Sequence, residues 1–413
     1  MTLNRDDPTE NGLLDTAFKL AHGHDVPEAD AAALPEELRE VAMAYAAGDH
    51  AANVAPLQED VSALDDMVWY LRLESALAML FRKQIRPAQF LALLARPGVP
   101  PYLLNYYRGI GRYGQGRVQQ ALHYFSKARP GVENMVVQYG RYVDGSIRGV
   151  VSARSFEEFE QLAEHASDAR TDALFPYILD IKPADHDCCH IIGCDEGYWL
   201  KYRDLFVTWA KPLSQLVDIW INCTNFSDEM IADVRQRAPF ARVSLDFNDF
   251  ANKMPYYTMT RFILAEKLAR GGRYDRLVCT DIDILVQEDR YGDFIAAAPP
   301  GGSAIYSRGR FPWRSSAAVF SMWRGEEGRR LLRWLLAYYC DAYRPEISGH
   351  NRQWWIDQYI LSILAEVAAG AYPQWKLEPV CFTPLERSSF PILIPGQRGG
   401  LSKEDFVARY AQV

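Results

Sequence analysis

Two aspartates one residue apart stand at the end of a short apolar run in the stretch RYDRLVCTDIDILVQED. The run from Leu277 to Thr280 follows a polar segment, which predicts a buried strand that leaves its sheet at Asp281 and Asp283. Two carboxylates this close repel each other and are costly to bury, so they need a solvated loop or a compensating cation. A divalent metal ion is one such cation, and the pair is therefore a candidate metal site.

Composition limits the class of protein that can carry this pair. The chain has 413 residues, of which 49% are hydrophobic, enough for two or three globular domains. Its net charge of −8 argues against a general nucleic-acid binder. The polar start MTLNRDDPTENGLLD shows no secretory signal and no apolar stretch reaches membrane-spanning length, so we expect a soluble cytoplasmic protein. The seven cysteines lack regular spacing and are expected to be free thiols.

The elements that must position the two aspartates lie in the second half of the chain. Residues 1–150 have helical periodicity, as in LRLESALAMLFRKQ, and form a predicted helical domain. Residues 151–184 are predicted to be a connecting helix and linker. Residues 185–413 alternate short β-prone runs with helical segments, which predicts an α/β domain with a mostly parallel sheet.

The order of elements in this second domain resembles that of a known family. A strand ends in GCDEGYW and leads to the helix LKYRDLFVTWAKPL, after which a strand, a helix and a third strand follow. Then come the helix YYTMTRFILAEKLAR and the strand that closes in CTDIDILV. Residues 187–365 thus resemble the nucleotide-binding half of a GT-A glycosyltransferase, most closely the family-eight sugar-nucleotide transferases. The resemblance implies a Rossmann-like, mostly parallel sheet and a sugar-transfer activity, and the N-terminal half lies outside it.

In that family the Asp-x-Asp motif holds Mn²⁺ or Mg²⁺ against the donor diphosphate. The resemblance implies that Asp283 is a metal ligand and that Asp281 is a shared ligand that also approaches the ribose. Hard oxygen ligands suit such ions, and the ion neutralises charge that develops on the leaving diphosphate.

Two features depart from the family. No histidine follows His350 to act as third ligand, and Ser315 and Ser316 replace the polar contact of an Asn-Ala-Gly-like strand. Water, His350 or a backbone group would then complete the metal site.

Three further residues match donor-binding positions of the family. Arg261 in TMTRF matches an arginine that helps hold the donor and the metal-binding carboxylates. The alternative is a surface arginine paired with Glu266 or Asp275. Asp195 and Tyr198 in GCDEGYW match the loop that takes the nucleotide base and ribose. For these two residues the alternative is a helix N-cap and a core tyrosine.

The segment NRQWWIDQYILSILAE is a predicted helix that carries the remaining candidates. Asp357 and Gln358 match the Asp-Gln pair that lies near the reacting sugar in the family. Trp354 and Trp355 would add an apolar platform for a sugar ring, although tryptophans near a helix start are more often packing groups. Asp357, Gln358 and Arg261 are therefore the predicted catalytic residues.

Other chemistries compete for some of these residues. LVCTDIDIL also resembles the first motif of haloacid-dehalogenase phosphatases, in which Asp281 would be the nucleophile and Asp283 the general acid, but Leu285 departs from that motif. DHDCCHIIGC suggests a zinc site, yet Cys189 and His190 would point to opposite faces of a strand. A non-catalytic helical scaffold with a degenerate transferase domain is the third alternative.

The sequence predicts a metal-dependent enzyme that transfers a hexose from a nucleotide sugar, UDP-linked by preference, to an acceptor hydroxyl. The helical domain favours a protein or peptide acceptor, because helical arrays present concave peptide-binding surfaces. Within it, GIGRYGQGRVQQALHYFSKARP resembles one tetratricopeptide repeat, with an ordinary helical hairpin as the alternative. A lipid-linked sugar or a polysaccharide is the rival acceptor, since the basic loop SRGRFPWR, with Arg308, Arg310 and Arg314, could face an acceptor phosphate.

Overall fold

The chain forms two compact units, Met1–Ala153 and Arg154–Val413, in a computed structural model. The structure describes residues 26–55, 66–95, 101–115, 170–248, 254–305, 320–342, 356–368, 381–385, 391–395 and 401–411, with isolated residues between 13 and 21 and between 117 and 161.

The first unit is helical, as the periodicity of its sequence predicted. Its helices include α1 (Glu28–Ala32), α2 (Glu36–Ala47), α3 (His50–Val54), α4 (Asp66–Phe81), α5 (Pro87–Leu93) and α6 (Pro101–Gly114). Trp69 and Leu71 of α4 are almost fully buried, so this helix lies in the core of the unit. Tyr107 of α6 donates a hydrogen bond to Glu74 Oε1 of α4 (2.7 Å). The repeat-like segment stays a prediction, because Phe125 within it lies outside the described residues.

The second unit is an α/β domain built on an eight-stranded sheet. Its strands are β1 (Tyr177–Ile178), β2 (Cys188–Asp195), β3 (Asp218–Thr224), β4 (Arg242–Asp246), β5 (Arg276–Thr280), β6 (Leu285–Val286), β7 (Gly301–Ile305), β8 (Ser321–Arg324), β9 (Phe382–Leu385) and β10 (Ile392–Leu393). Its helices are α7 (Arg170–Ala173), α8 (Glu196–Leu213), α9 (Asp228–Arg237), α10 (Met254–Arg270), α11 (Glu288–Ala296), α12 (Gly325–Ala342), α13 (Ile356–Ala368) and α14 (Lys403–Tyr410).

Four parallel strands in the order β4-β3-β2-β5 form the centre of the large sheet. Beyond β5, strand β8 runs antiparallel to both β5 and β7, and β9 is parallel to β7. β1 pairs antiparallel with β4 at the opposite edge, and β6 and β10 form a separate two-stranded sheet. The predicted α/β class, with a mostly parallel sheet preceded by helices, is confirmed.

The central strands are buried on both faces, which accounts for their nearly continuous apolar runs. All seven residues of β3, DIWINCT, are buried. Helix α8 supplies large rings to the core beside this strand, among them Trp199, Phe206 and Trp209. The predicted linker, residues 151–184, reaches into the sheet, because β1 falls within it and Leu179 N donates to Val243 O (3.0 Å).

The strand order creates a crevice between β2 and β5. From β2 the chain moves through α8 and α9 to β3 and β4 on one side, and then returns through α10 to β5 on the other side of β2. Ligands of open α/β sheets bind at such a reversal, beyond the carboxyl ends of the strands. Asp195 ends β2 and Asp281 directly follows β5, so both lie at this edge.

None of the helices that the structure describes has the length and hydrophobicity needed to cross a membrane.

Candidate active site

A pocket of about 230 Å³ opens at the carboxyl ends of β2 and β5. It brings together all seven residues that the sequence proposed for the site: Asp195, Tyr198, Arg261, Asp281, Asp283, Asp357 and Gln358. These residues come from three helices, the end of one strand and the loop after another, spread over more than 160 positions of the chain. We call this cavity the donor pocket, after the role that the sequence predicts for its residues.

The start of α8 forms one wall of the donor pocket. Asp195 is the N-cap residue of this helix, and its Oδ1 accepts a hydrogen bond from Tyr198 N (2.8 Å). The capping role that the sequence left as an alternative is therefore real, and the same residue also lines the pocket. Tyr198 is not a core tyrosine, since 39% of it is exposed. Its ring thus remains available to a ligand.

Arg261 of α10 is buried and holds two carboxylates of the pocket. Its Nη1 lies 3.2 Å from Asp281 Oδ1, and its Nη2 donates to Asp357 Oδ2 (2.9 Å). The alternative partner Glu266 instead pairs with Arg270 (2.9 Å). Arg261 therefore links the loop after β5 to the start of α13, which is how the site residues are held together across the sheet.

Helix α10 brings Arg261 into the donor pocket because β2 has a glycine, Gly193, where the helix crosses the strand. A Cβ atom on Gly193 would lie 2.1 Å from Thr260 Oγ1 and 3.0 Å from Arg261 N. Real Cβ atoms essentially never show the first distance, and the second is tighter than most real contacts, so the close approach of α10 depends on this glycine.

Burial shifts the protonation of the carboxylates that Arg261 holds. Loss of hydration raises the pKa of Asp357 to about 6, and the Arg261 guanidinium opposes the shift. Loss of hydration also raises the pKa of Asp281; Arg261 lowers it, while Asp283 and Asp357 raise it further. Since 35% of the Asp281 side chain is exposed, water still reaches it. A ligand cation would favour the ionised form of these groups.

Lys403 is a pocket residue that the sequence did not suggest. It begins α14, and its Nζ forms an ion pair with Asp283 Oδ2. Partial burial lowers the pKa of Lys403, but Asp283, together with Tyr202 and Tyr198, outweighs burial and raises the pKa of Lys403. Asp283 itself is only 6% exposed, so the ammonium serves as counter-ion to a buried carboxylate. Ser402 signalled a helix start here, but nothing local indicates a contact 120 residues away.

The charge of the pocket suits a divalent cation. Four carboxylates and two cationic side chains line it, a formal excess of two negative charges that would repel an anionic diphosphate. Asp281 and Asp283 offer hard carboxylate oxygens, but in the described part of the chain no three His, Cys, Asp or Glu side chains converge as metal ligands. Mg²⁺ is commonly held by one or two carboxylates with water and substrate phosphates, so this donor set fits such an ion.

His190, which the sequence placed in a possible zinc cluster, has a structural role. Its Nδ1 lies 2.6 Å from the Tyr291 hydroxyl and its Nε2 lies 2.6 Å from Thr280 Oγ1. Burial lowers the pKa of His190 to about 3, so the ring is neutral in the core.

Several residues named from the sequence lie outside the described part of the chain. They are His350, Trp354, Trp355, Ser315, Ser316 and the three arginines of the basic loop, Arg308, Arg310 and Arg314.

Comparisons with known proteins add little to this geometry. No protein-family model matches the sequence, and no curated protein sequence matches it significantly. Among solved structures, the apo form of the bifunctional glycosyltransferase WbbM matches with 15% identity and a TM-score of 0.30. The match covers 46% of this chain and 38% of the WbbM chain. A likeness at this level leaves the activity, substrates and partners of this chain open.

Proposed function

We propose that the chain is a metal-dependent glycosyltransferase that moves a hexose from a nucleotide sugar, UDP-linked by preference, to an acceptor hydroxyl. One observation carries the proposal. The Asp281 and Asp283 carboxylates, Arg261 and Lys403 meet in one pocket at the strand-order reversal of a mostly parallel sheet. A site with alternating cations and carboxylates at that edge suits a phosphorylated ligand brought in with a divalent cation.

The residues of the pocket have different roles, which follow from their positions. Asp281 and Asp283 would hold Mn²⁺ or Mg²⁺, which when bound neutralises charge on the leaving nucleoside diphosphate. Tyr198 stacks on the base, and Asp195 and Asp281 accept hydrogen bonds from the base or the ribose. Arg261 fixes Asp281 and Asp357 so that these carboxylates meet the donor in one arrangement.

Asp357 and Gln358 orient the sugar. Both lie at the start of α13 and line the pocket. The amide of Gln358 donates and accepts, and Asp357 accepts when ionised, so the pair suits adjacent sugar hydroxyls. Their fixed backbone on a helix favours precise placement of the reacting carbon relative to the acceptor.

The experiment that tests the proposal incubates the purified chain with a panel of nucleotide sugars and Mn²⁺ and measures donor hydrolysis and transfer. We expect turnover with at least one UDP-sugar. Release of phosphate from a generic phosphoester, with no nucleotide sugar consumed, would support the phosphatase alternative. Nucleotide binding without turnover would support the non-catalytic scaffold.

A substitution at the predicted metal ligand sharpens the test. Asp283→Asn should weaken Mn²⁺-dependent binding of UDP by more than about tenfold, because it removes an ionic ligand. The exposed substitution Glu229→Gln on α9 is the matched control and should leave UDP binding unchanged. Equal UDP affinity for the two variants, measured by calorimetry with Mn²⁺ present, would remove Asp283 from the site.

A further inference from the structure

A second pocket, of about 660 Å³, lies beyond the carboxyl end of β4 at the edge of the sheet. Aromatic residues make up much of its wall: Phe175, Tyr177, Phe247 and Tyr256. The polar residues of the wall are Asp172, Asp246, Asn248, Lys267 and Arg270. We call it the edge pocket. No part of the proposed donor site accounts for it.

The formal charges in the wall of the edge pocket balance, and one of its cations is paired with one of its carboxylates. Arg270 pairs with Asp172 (2.9 Å) and with Glu266 behind the wall (2.9 Å). Lys267 Nζ donates to the carbonyl oxygen of Pro176. With two acidic and two basic residues in the wall, the pocket has no formal charge excess to select an ion. Its ligand is therefore expected to be neutral.

Asn248 supplies a neutral polar group that lacks a partner, beside the buried Asp246 Oδ1, which also lacks one among the described residues. Its side-chain Nδ2 and Oδ1 are both buried and neither has a hydrogen-bond partner among the described residues. Only its backbone N–H is engaged, donating to Asn225 Oδ1 (2.8 Å). A buried amide without partners costs stability, and a ligand hydroxyl, which both donates and accepts, would satisfy it once the Asn248 side chain turns into the cavity.

Two of the four aromatic rings of the edge pocket face solvent more than a packing role requires, whereas Tyr256 is buried. Tyr177 is 70% exposed and Phe247 is 62% exposed. Aromatic faces with a few fixed polar groups are typical of small-molecule pockets. A ligand with apolar C–H faces to lie on the rings and hydroxyls to meet the amide combines both requirements, and a sugar ring is such a ligand.

We propose that the edge pocket binds a neutral carbohydrate, the end of a saccharide acceptor. The acceptor assignment rests on the proposed transferase function. Tyr256 lines the edge pocket and the next residue, Tyr257, lines the donor pocket, so the two cavities flank the same turn of α10. Burial raises the pKa of Tyr257, and the negative charges of Asp195 in one pocket and Asp246 in the other raise it further. This inference favours a saccharide acceptor, the rival to the peptide acceptor that the helical domain favoured.

Direct binding tests the carbohydrate site without relying on turnover. The 413-residue chain is titrated with lactose, maltose and cellobiose by saturation-transfer NMR and calorimetry, alongside Phe247→Ala and Asn248→Leu. At least one disaccharide should bind, and each substitution should weaken it by about tenfold, because each removes one contact. Ile181→Ala is the matched control, since Ile181 is 81% exposed and is not part of the pocket wall. All variants should bind UDP like the wild type and melt at the same temperature.

The outcomes separate this inference from the proposed function. Disaccharide binding without binding or hydrolysis of UDP-sugars would leave the carbohydrate site standing and would overturn the acceptor role. Failure of every disaccharide to bind, or equal weakening in Ile181→Ala, would show that the edge pocket is not a carbohydrate site. Tighter binding of glucose 6-phosphate or of an acidic peptide than of any neutral disaccharide would overturn it as well.

Discussion

The ion pair between Lys403 and Asp283 has consequences for metal binding. A divalent cation that uses the Asp283 carboxylate has to displace the ammonium group from it, so the lysine and the metal compete. Lys403→Met should therefore bind Mn²⁺ about tenfold more tightly than the wild type when no nucleotide is present. Lys403→Arg keeps the positive charge and should remain near the wild-type affinity.

Titration calorimetry with Mn²⁺ on the three proteins checks this expectation. Without metal, Lys403→Met should also unfold at a lower temperature, because Asp283 would be buried without its counter-ion. Weaker Mn²⁺ binding by Lys403→Met would show instead that Lys403 supports the metal site.

Asp246 makes the stability of the folded chain depend on pH, and one substitution can isolate this contribution. Burial raises its pKa from 3.8 to about 6, and the hydrogen bond from Asn222 Nδ2 (2.7 Å) opposes the shift. The folded state then holds this proton more tightly than the unfolded chain does. Its contribution to stability is therefore full below pH 3.8, falls as the pH rises to about 6, and changes no further above that.

Asp246→Asn has no proton to lose at this position. Between pH 3.8 and about 6, the unfolding free energy of the wild type should fall relative to that of Asp246→Asn. The relative change should be about 3 kcal/mol, from about 1.4 kcal/mol for each pKa unit. Urea unfolding of both proteins across this range measures it. Parallel pH curves would contradict the buried-carboxylate account.

The family resemblance, carried by residue types and by their order along the chain, was enough to indicate most of the donor pocket. Asp195, Arg261 and Asp281 stand at strand ends or helix faces whose position follows from the chain on either side. Lys403 was missed because its role depends on where α14 packs, and that is set by contacts far along the sequence. Whether these residues bind a donor stays a prediction.

At the scale of elements, the crossing of α10 over β2 controls the site. Gly193→Ala would force Thr260 and Arg261 away from β2, since the new Cβ would lie 2.1 Å from Thr260 Oγ1. We expect a loss of about 1–3 kcal/mol in unfolding free energy, the usual cost of overpacking, and loss of UDP binding.

Gly292→Ala in α11 is the matched control for this substitution. The nearest atom to its new Cβ would be Leu216 Cδ1 at 3.9 Å, an ordinary contact, so stability should be unchanged or slightly higher. Denaturant unfolding and UDP titration distinguish the two variants. If Gly193→Ala kept both its stability and its UDP binding, α10 must be able to shift away from β2 without harm. The close crossing of α10 and β2 would then not determine the site.

Elements with strong local patterns were predicted and those with weak local patterns were not. The apolar runs of β2, β3, β4 and β5 and the long helices α8 and α10 were all read from the sequence. Strands β1, β7 and β9 were not, because GGSAI and FTPL carry little β propensity and β1 has two residues. Their pairing with distant strands, which local residues do not specify, is what makes them strands.

For the whole molecule, the two units differ in what they contribute. All the donor-pocket and edge-pocket residues belong to Arg154–Val413, which has its own sheet and core. A chain that begins at Arg154 should therefore bind UDP with the affinity of the 413-residue chain. Side-by-side titrations measure this. A large loss of UDP affinity, in a shortened chain that still melts cooperatively, would show that the helical unit is needed for the donor site.

The cysteines of the second unit can report when that unit opens to solvent. All seven fall between positions 188 and 381, so the first unit has none. Each is a free thiol, and six are buried: Cys188, Cys189, Cys194, Cys223, Cys279 and Cys340. Each of these six buried thiols can be alkylated only when the structure around it opens, so its rate of labelling follows the opening equilibrium of the second unit alone. Pulsed alkylation read by mass spectrometry would thus follow the stability of the α/β unit inside the unmodified full chain, and a donor that closes the crevice between β2 and β5 should slow the labelling of Cys194 and Cys279 together.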